Sequence, residues 1–227
     1  MQMSKYNKIP KVELHLHLDC SLSFDVVKRI NPLIGIDEYK SSFQAKPNSI
    51  SLNDYINCAD IAIELMQTRE NLELVVEDLF KQLKKENVIY AEIRFAPLLH
   101  CEQGLDENMV VEIVCNRAKI ESKKNNIAYG LILCTLRHYS KKQSLETVRL
   151  VKKYKDKGVV GFDIAADEAG YPLDNHIEAF NYANSHGLNI TAHAGEAKGP
   201  KSIWESIKKL QTKRIGHGVR CVEDPEL

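Results

Sequence analysis

Between Lys11 and Ser21 the chain reads KVELHLHLDCS, and Glu13, His15, His17 and Asp19 recur at every second position. On a β-strand such residues share one face, with Val12, Leu14, Leu16 and Leu18 packing on the other. Two imidazoles so placed lie about 7 Å apart along the backbone, a separation that rotamers can close onto one cation. An amphipathic surface strand would show the same alternation, but its polar row would favour Lys, Thr or Glu. Zinc held by such a pair needs further N or O ligands and, in a catalytic site, an open position for water. His193, in LNITAHA, offers the third nitrogen. Alone, His193 reads as a hydrogen-bonded core histidine; with His-Leu-His and His-Ala-Gly-Glu together the reading is a metal site. Glu196 lies three residues further on. A lone loop glutamate is ordinarily solvated, but a carboxyl beside an apolar ligand has its pKa raised and can act as general acid. His217 stands between Gly216 and Gly218, small neighbours that let a ligand approach, so it can steer or deprotonate an activated water.

The elements that must carry these residues alternate. Ser23 is a candidate N-cap for the helix FDVVKRI, which Asn31-Pro32 stops. A polar stretch from about Ile36 to Ser51 follows, then a helical insertion with apolar residues at three- and four-residue spacing over Asp54–Thr68 and Asn71–Asn87. Predicted strands then cover Val88–Pro97, Ile127–Thr135, Val159–Ala165, Leu188–Ala194 and Arg214–Gly218. They are separated by predicted helices over Asp106–Asn125, Ser144–Lys157, Asn175–His186 and Pro200–Leu210. Strands alternating with helices imply parallel βαβ units. Chemistry in such folds collects at the carboxyl ends of the strands, where His15, His17, His193 and His217 all fall, with Asp167 and Glu168 after the fourth strand. Glu92, Arg94 and Asp163 read as structural charges, with Glu13 and Arg94 a candidate buried pair. Asp224-Pro225 reads as the cap and first position of one more helix.

Composition narrows the partners. Thirty-one basic residues balance thirty-one acidic ones, and 44% of the 227 residues are apolar. A core can be buried, and no net field attracts nucleic acid or an anionic membrane. The six cysteines are scattered without a C-x-x-C pair, as in a reducing compartment. No apolar run approaches the roughly 18 residues of a spanning helix. A cytoplasmic protein with a small-molecule substrate is expected. Asn189-Ile190-Thr191 matches a glycosylation acceptor but falls in a predicted buried strand.

In order and separation, KVELHLHLD (11–19), YAEIRFAP (90–97), GFDIAADE (161–168), TAHAGE (191–196) and RIGHGVR (214–220) resemble the adenosine deaminase family. The resemblance implies a zinc-dependent TIM-type (β/α)8 barrel that hydrolyses adenosine or deoxyadenosine to inosine or deoxyinosine and ammonia. It further implies one zinc ion on His15, His17 and His193, Glu196 protonating purine N1, and His217 orienting the attacking water. His17, Asp19 and Ala166 would line the substrate, Asp19 at the ribose. The cysteine motif of the H-x-E…P-C-x-x-C deaminases is absent. Three departures stand out. Cys20 and Ala166 replace usual glycines, and the family's closing Asn-Thr-Asp-Asp-Pro-like segment, which supplies an aspartate zinc ligand and a neighbouring catalytic aspartate, has no counterpart. The expectation is one incomplete barrel over residues 1–227 with about six of eight strand–helix units, lacking strands 7 and 8. Exposed strand edges are then expected to promote self-association, and turnover by the chain alone is expected to be weak or absent. The alternatives are a noncatalytic remnant and a deaminase of adenine or another aminopurine.

Overall fold

The computed structural model describes residues 5–45 and 52–227. They belong to two compact units, one of residues 1–47 and 57–131, the other of residues 48–56 and 132–227.

The first unit carries β1 (Lys11–His17), α1 (Phe24–Ile30), α2 (Ile36–Phe43), most of α3 (Leu52–Leu65), α4 (Arg69–Lys85), β2 (Val88–Phe95), α5 (Glu107–Asn125) and the start of β3 (Ala128–Leu136). β1 and β2 pair in parallel, with Leu16 opposite Ile93 and His17 opposite Arg94. α4 is amphipathic: Leu72, Val75, Val76, Leu79, Phe80 and Leu83 are buried at three- and four-residue spacing, each side chain worth roughly 1.5–3 kcal/mol. Its other residues tie down the turn after β1. Asp78 accepts from the hydroxyl and N–H of Ser23 at 2.8 and 3.2 Å. The amide of Gln82 donates to the Ser21 carbonyl at 2.8 Å. Ser23 caps α1 as its sequence predicts, accepting from the Val26 N–H at 3.3 Å.

Three expectations are corrected in this unit. The stretch from Ile36 contains a helix, α2, which buries Tyr39 against the Leu22 carbonyl; residues 46–51 lie outside those described. The apolar row of β1 is not uniformly packed: Leu18 is buried, but Val12 and Leu14 are 55% and 47% exposed. The reason is that α4 packs on β2 and on the turn after β1 rather than on the strand's first half. Finally, Glu13 and Arg94 do not pair. Glu13 accepts from the His15 N–H at 3.0 Å, and the buried Arg94 donates to the Leu14 carbonyl at 2.8 Å.

The second unit carries the end of β3, α6 (Lys141–Tyr154), β4 (Val159–Ala165), α7 (Ile177–Ser185), β5 (Ala192–Ala194), α8 (Pro200–Leu210) and β6 (Ile215–His217). A Ser140–Gln143 capping box starts α6, three residues before its predicted start. β5 is shorter than predicted, because only Ile190 of the segment before it forms a bridge, to Phe162 of β4. β5 and β6 pair in parallel, placing His193 opposite Gly216 and Ala194 opposite His217. A buried histidine outside the site shows what structural satisfaction looks like. The His176 ring meets the Ser144 hydroxyl and the Arg137 carbonyl, both at 3.1 Å, and burial pushes its pKa down. Asp224 opens a turn, accepting from the Glu226 N–H at 3.1 Å and from the Trp204 indole at 2.9 Å.

The strands of both units are parallel where their pairing is defined, and the chain has the α/β organisation that the alternating pattern implies. Every cysteine is a thiol. Among the described residues no helix is long and apolar enough to cross a membrane.

Candidate active site

In the second unit, β4, β5 and β6 each carry a polar group towards the carboxyl end: Asp163, His193 and His217. Asp163, fully buried on β4, faces the His193 Nδ1 with its two oxygens at 3.2 and 3.1 Å. A carboxylate accepts only, so the proton of a neutral His193 sits on Nδ1 and the lone pair on Nε2. This is the arrangement by which a carboxylate fixes the tautomer of a metal-ligating histidine. Arg137 at the end of β3 donates to the His193 carbonyl at 2.9 Å, so both the ring and the backbone of the residue are held. Opposite His193, Gly216 has no side chain to compete for space.

The rings of His193 and His217 lie 5.1 Å apart, and His217 Nε2 is 3.4 Å from Glu196 Oε2. Burial raises the Glu196 carboxyl above the ordinary range; the charge of Glu168 adds to the rise, against an opposing contribution from His193. His217 sits at φ +64°, a left-handed conformation that costs a non-glycine residue about 1–3 kcal/mol and that concentrates at functional sites.

Glu168 is the most heavily engaged acid of the unit. Its Oε1 accepts from the Gly195 N–H at 2.7 Å and the Ser202 hydroxyl at 2.5 Å. Its Oε2 accepts from the N–H groups of Glu196, Ala197 and Lys198 at 3.0, 2.7 and 2.9 Å. Burial alone would raise this carboxyl; the hydrogen bonds from Ser202, Lys198, Gly195 and Ala197 outweigh it and hold the group below its ordinary range. The turn needs glycine at 195, where φ is +70° and a Cβ would lie 2.5 Å from the Ile203 Cδ1.

Ala166, between β4 and Asp167, is at φ +73°. Left-handed backbone costs an L-residue roughly 1–2 kcal/mol, and a glycine there gives back part of that gain through unfolded-state entropy. Ala166→Gly is therefore expected to raise stability by roughly 0.5 kcal/mol and Ala166→Val to lower it. Thermal melts of the two variants check the opposite signs.

In the first unit, His15 and His17 leave the same face of β1 and their rings lean to 5.3 Å between centroids, closer than the backbone repeat. His17 Nδ1 is 3.8 Å from an oxygen of the buried Asp19, and one ligand atom each of His17, Asp19 and Cys20 falls within 4.8 Å of the others. The first unit thus brings together His15, His17 and Asp19. The second brings together His193, Glu196, His217, Asp163 and Glu168; the sequence places the last two at the fourth strand but does not give their partners. Asp163 was legible as a lone carboxylate in an apolar parallel strand, which must find a partner. Nothing in the spacing of Glu168 points to the loop it binds.

The family model for adenosine deaminase matches residues 10–227. The adenosine deaminase of Clostridium acetobutylicum is 39% identical over 226 residues, covering 96% of this chain and 67% of the relative. Among solved structures, adenine deaminase from Arthrobacter aurescens superposes with TM-score 0.84 at 24% identity, over 96% of this chain and 67% of that one. A zinc-bound amidohydrolase from Burkhoderia ambifaria superposes with TM-score 0.85 at 20% identity, over all of this chain and 65% of that one. The chain spans 67% of the first of these curated relatives and 58% of a Streptomyces coelicolor one. The ordered motifs, the family model and the curated relative agree: the chain belongs to the adenosine deaminase family, hydrolases that deaminate purines.

Proposed function

We propose that the protein hydrolyses adenosine or deoxyadenosine to the corresponding inosine and ammonia, with one zinc ion held by His15, His17 and His193. The observation that carries this reading is the buried Asp163–His193 pair, which commits Nδ1 to the carboxylate and leaves Nε2 as the donor. Three neutral imidazoles are a donor set that suits zinc, and a relative in fold binds that metal. Such an ion supplies a water made nucleophilic at neutral pH.

The chain's residues do the rest. Glu196, its carboxyl raised by burial, gives a proton to purine N1 as water adds at C6, which makes the ring a better electrophile. His217 beside it orients the water and takes its proton, which leaves with the amino group as ammonia, while the proton of the new C6 hydroxyl returns to Glu196 as the carbonyl forms. Asp19 accepts a hydrogen bond from a ribose hydroxyl, which favours a nucleoside over a free base. Ala166 borders the purine, its methyl narrowing the approach relative to glycine. The setting is cytoplasmic, in keeping with six thiols.

Ammonia release from adenosine, adenine and adenosine monophosphate, with zinc supplied, tests the assignment. Turnover is expected to be weak in this chain by itself, with adenosine foremost. Preference for adenine would overturn the role of Asp19, and no release from any of the three would overturn the deaminase reading and favour a noncatalytic remnant.

A further inference from the structure

We infer that Glu168 is the positioning residue of the acid: its carboxylate clamps the backbone of residues 195–198 and so fixes where Glu196 presents its own carboxyl. The inference rests on the deaminase reading, in which Glu196 is the proton donor. Four consecutive N–H groups, those of Gly195, Glu196, Ala197 and Lys198, converge on the two oxygens of one side chain at 2.7–3.0 Å. Successive backbone N–H groups of this kind form a concave anion site, and here the anion is supplied from the end of β4. The hydroxyl of Ser202, in the first turn of α8, completes the set. Glu168 is 1% exposed, so bulk solvent does not compete for its oxygens.

The geometry argues for more than packing. The Glu196 N–H is itself one of the clamped donors, and the same residue's carboxyl reaches His217. The acid's backbone thus has a fixed anchor on one side and its side chain a partner on the other. The turn has no slack of its own, since Gly195 is in left-handed backbone and packs on Ile203. The negative charge of Glu168 also favours the protonated form of Glu196. Loss of the clamp would let the acid wander, and misplacement by about 1 Å costs on the order of 100-fold in rate.

The test is Glu168→Gln, which keeps shape but replaces one accepting oxygen with an amide nitrogen that cannot accept. With adenosine as substrate, kcat is expected to fall by about tenfold or more while KM stays within about twofold. Zinc content should be unchanged. Hydrogen exchange of the amides of 195–198 should quicken by about tenfold, with the α4 amides unaffected. A merely structural role would move KM, zinc content and α4 exchange together, and that result would overturn the inference. So would wild-type kcat in the variant. If the variant does not fold, Ser202→Ala decides: about a threefold loss of kcat at constant KM is expected, and unchanged kcat would overturn the proposal. Absence of turnover in the unaltered protein would instead sink the deaminase reading, and this inference with it.

Discussion

His193→Ala is expected to weaken zinc binding by more than about 100-fold and to bring ammonia release from adenosine down to background. The expectation follows from what the residue's neighbours do. Asp163 and Arg137 together fix its ring and its carbonyl, so the ligand is oriented before any ion arrives and little conformational freedom is lost on binding. Alanine removes the donor and leaves Asp163 as a fully buried carboxylate facing a cavity, an arrangement that costs several kcal/mol unless the group takes up a proton. A graded control separates the two effects. Asp163→Asn keeps the ring but loses the charge that orients it, and changes at such supporting positions typically cost about 10–100-fold in metal affinity or activity. Metal content after gel filtration, measured beside thermal melts, reads both variants. Zinc retained at wild-type stoichiometry by His193→Ala would remove this histidine from the ligand set.

Glu196→Gln is expected to lower kcat by about 10²–10⁴ without changing zinc content. Glutamine preserves the shape and can still donate a hydrogen bond to purine N1, but it cannot transfer a proton. The structure gives two reasons for assigning the proton to this carboxyl rather than to Glu168, which is also buried. Burial raises Glu196, while five donors hold Glu168 in its ionised form. Moreover, Glu196 faces His217, the residue proposed to orient the water, whereas both oxygens of Glu168 are spent on the loop. Steady-state kinetics on zinc-loaded variants measures the effect. A kcat within a few-fold of wild type for Glu196→Gln would mean that the proton comes from elsewhere.

Much of the fold was legible because the βα units carry strong local signals. Ser23 caps α1, Pro200 starts α8, and β4 runs over the predicted residues. α2 was missed because its apolar stripe, Ile36, Tyr39 and Phe43, is only two turns long and the stretch around it is polar. The apolar row of β1 illustrates a different limit: alternation fixes which residues share a face but not what covers that face, and Val12 and Leu14 remain exposed.

The candidate site divides in the same way. His15, His17, His193, Glu196 and His217 are visible because histidines at strand ends are unusual and their spacings are short. Asp163 and Glu168 act across gaps of about thirty residues, Asp163 on His193 and Glu168 on residues 195–198. No spacing rule reaches that far without the strand pairing that brings the partners together.

The measurement that bears most directly on the account is anomalous diffraction at the zinc edge from crystals of the protein grown with zinc. The predicted result is one peak with nitrogens of His15, His17 and His193 each about 2.0–2.1 Å away. A peak that excludes His193, one confined to His17, Asp19 and Cys20, or no peak at all would contradict it.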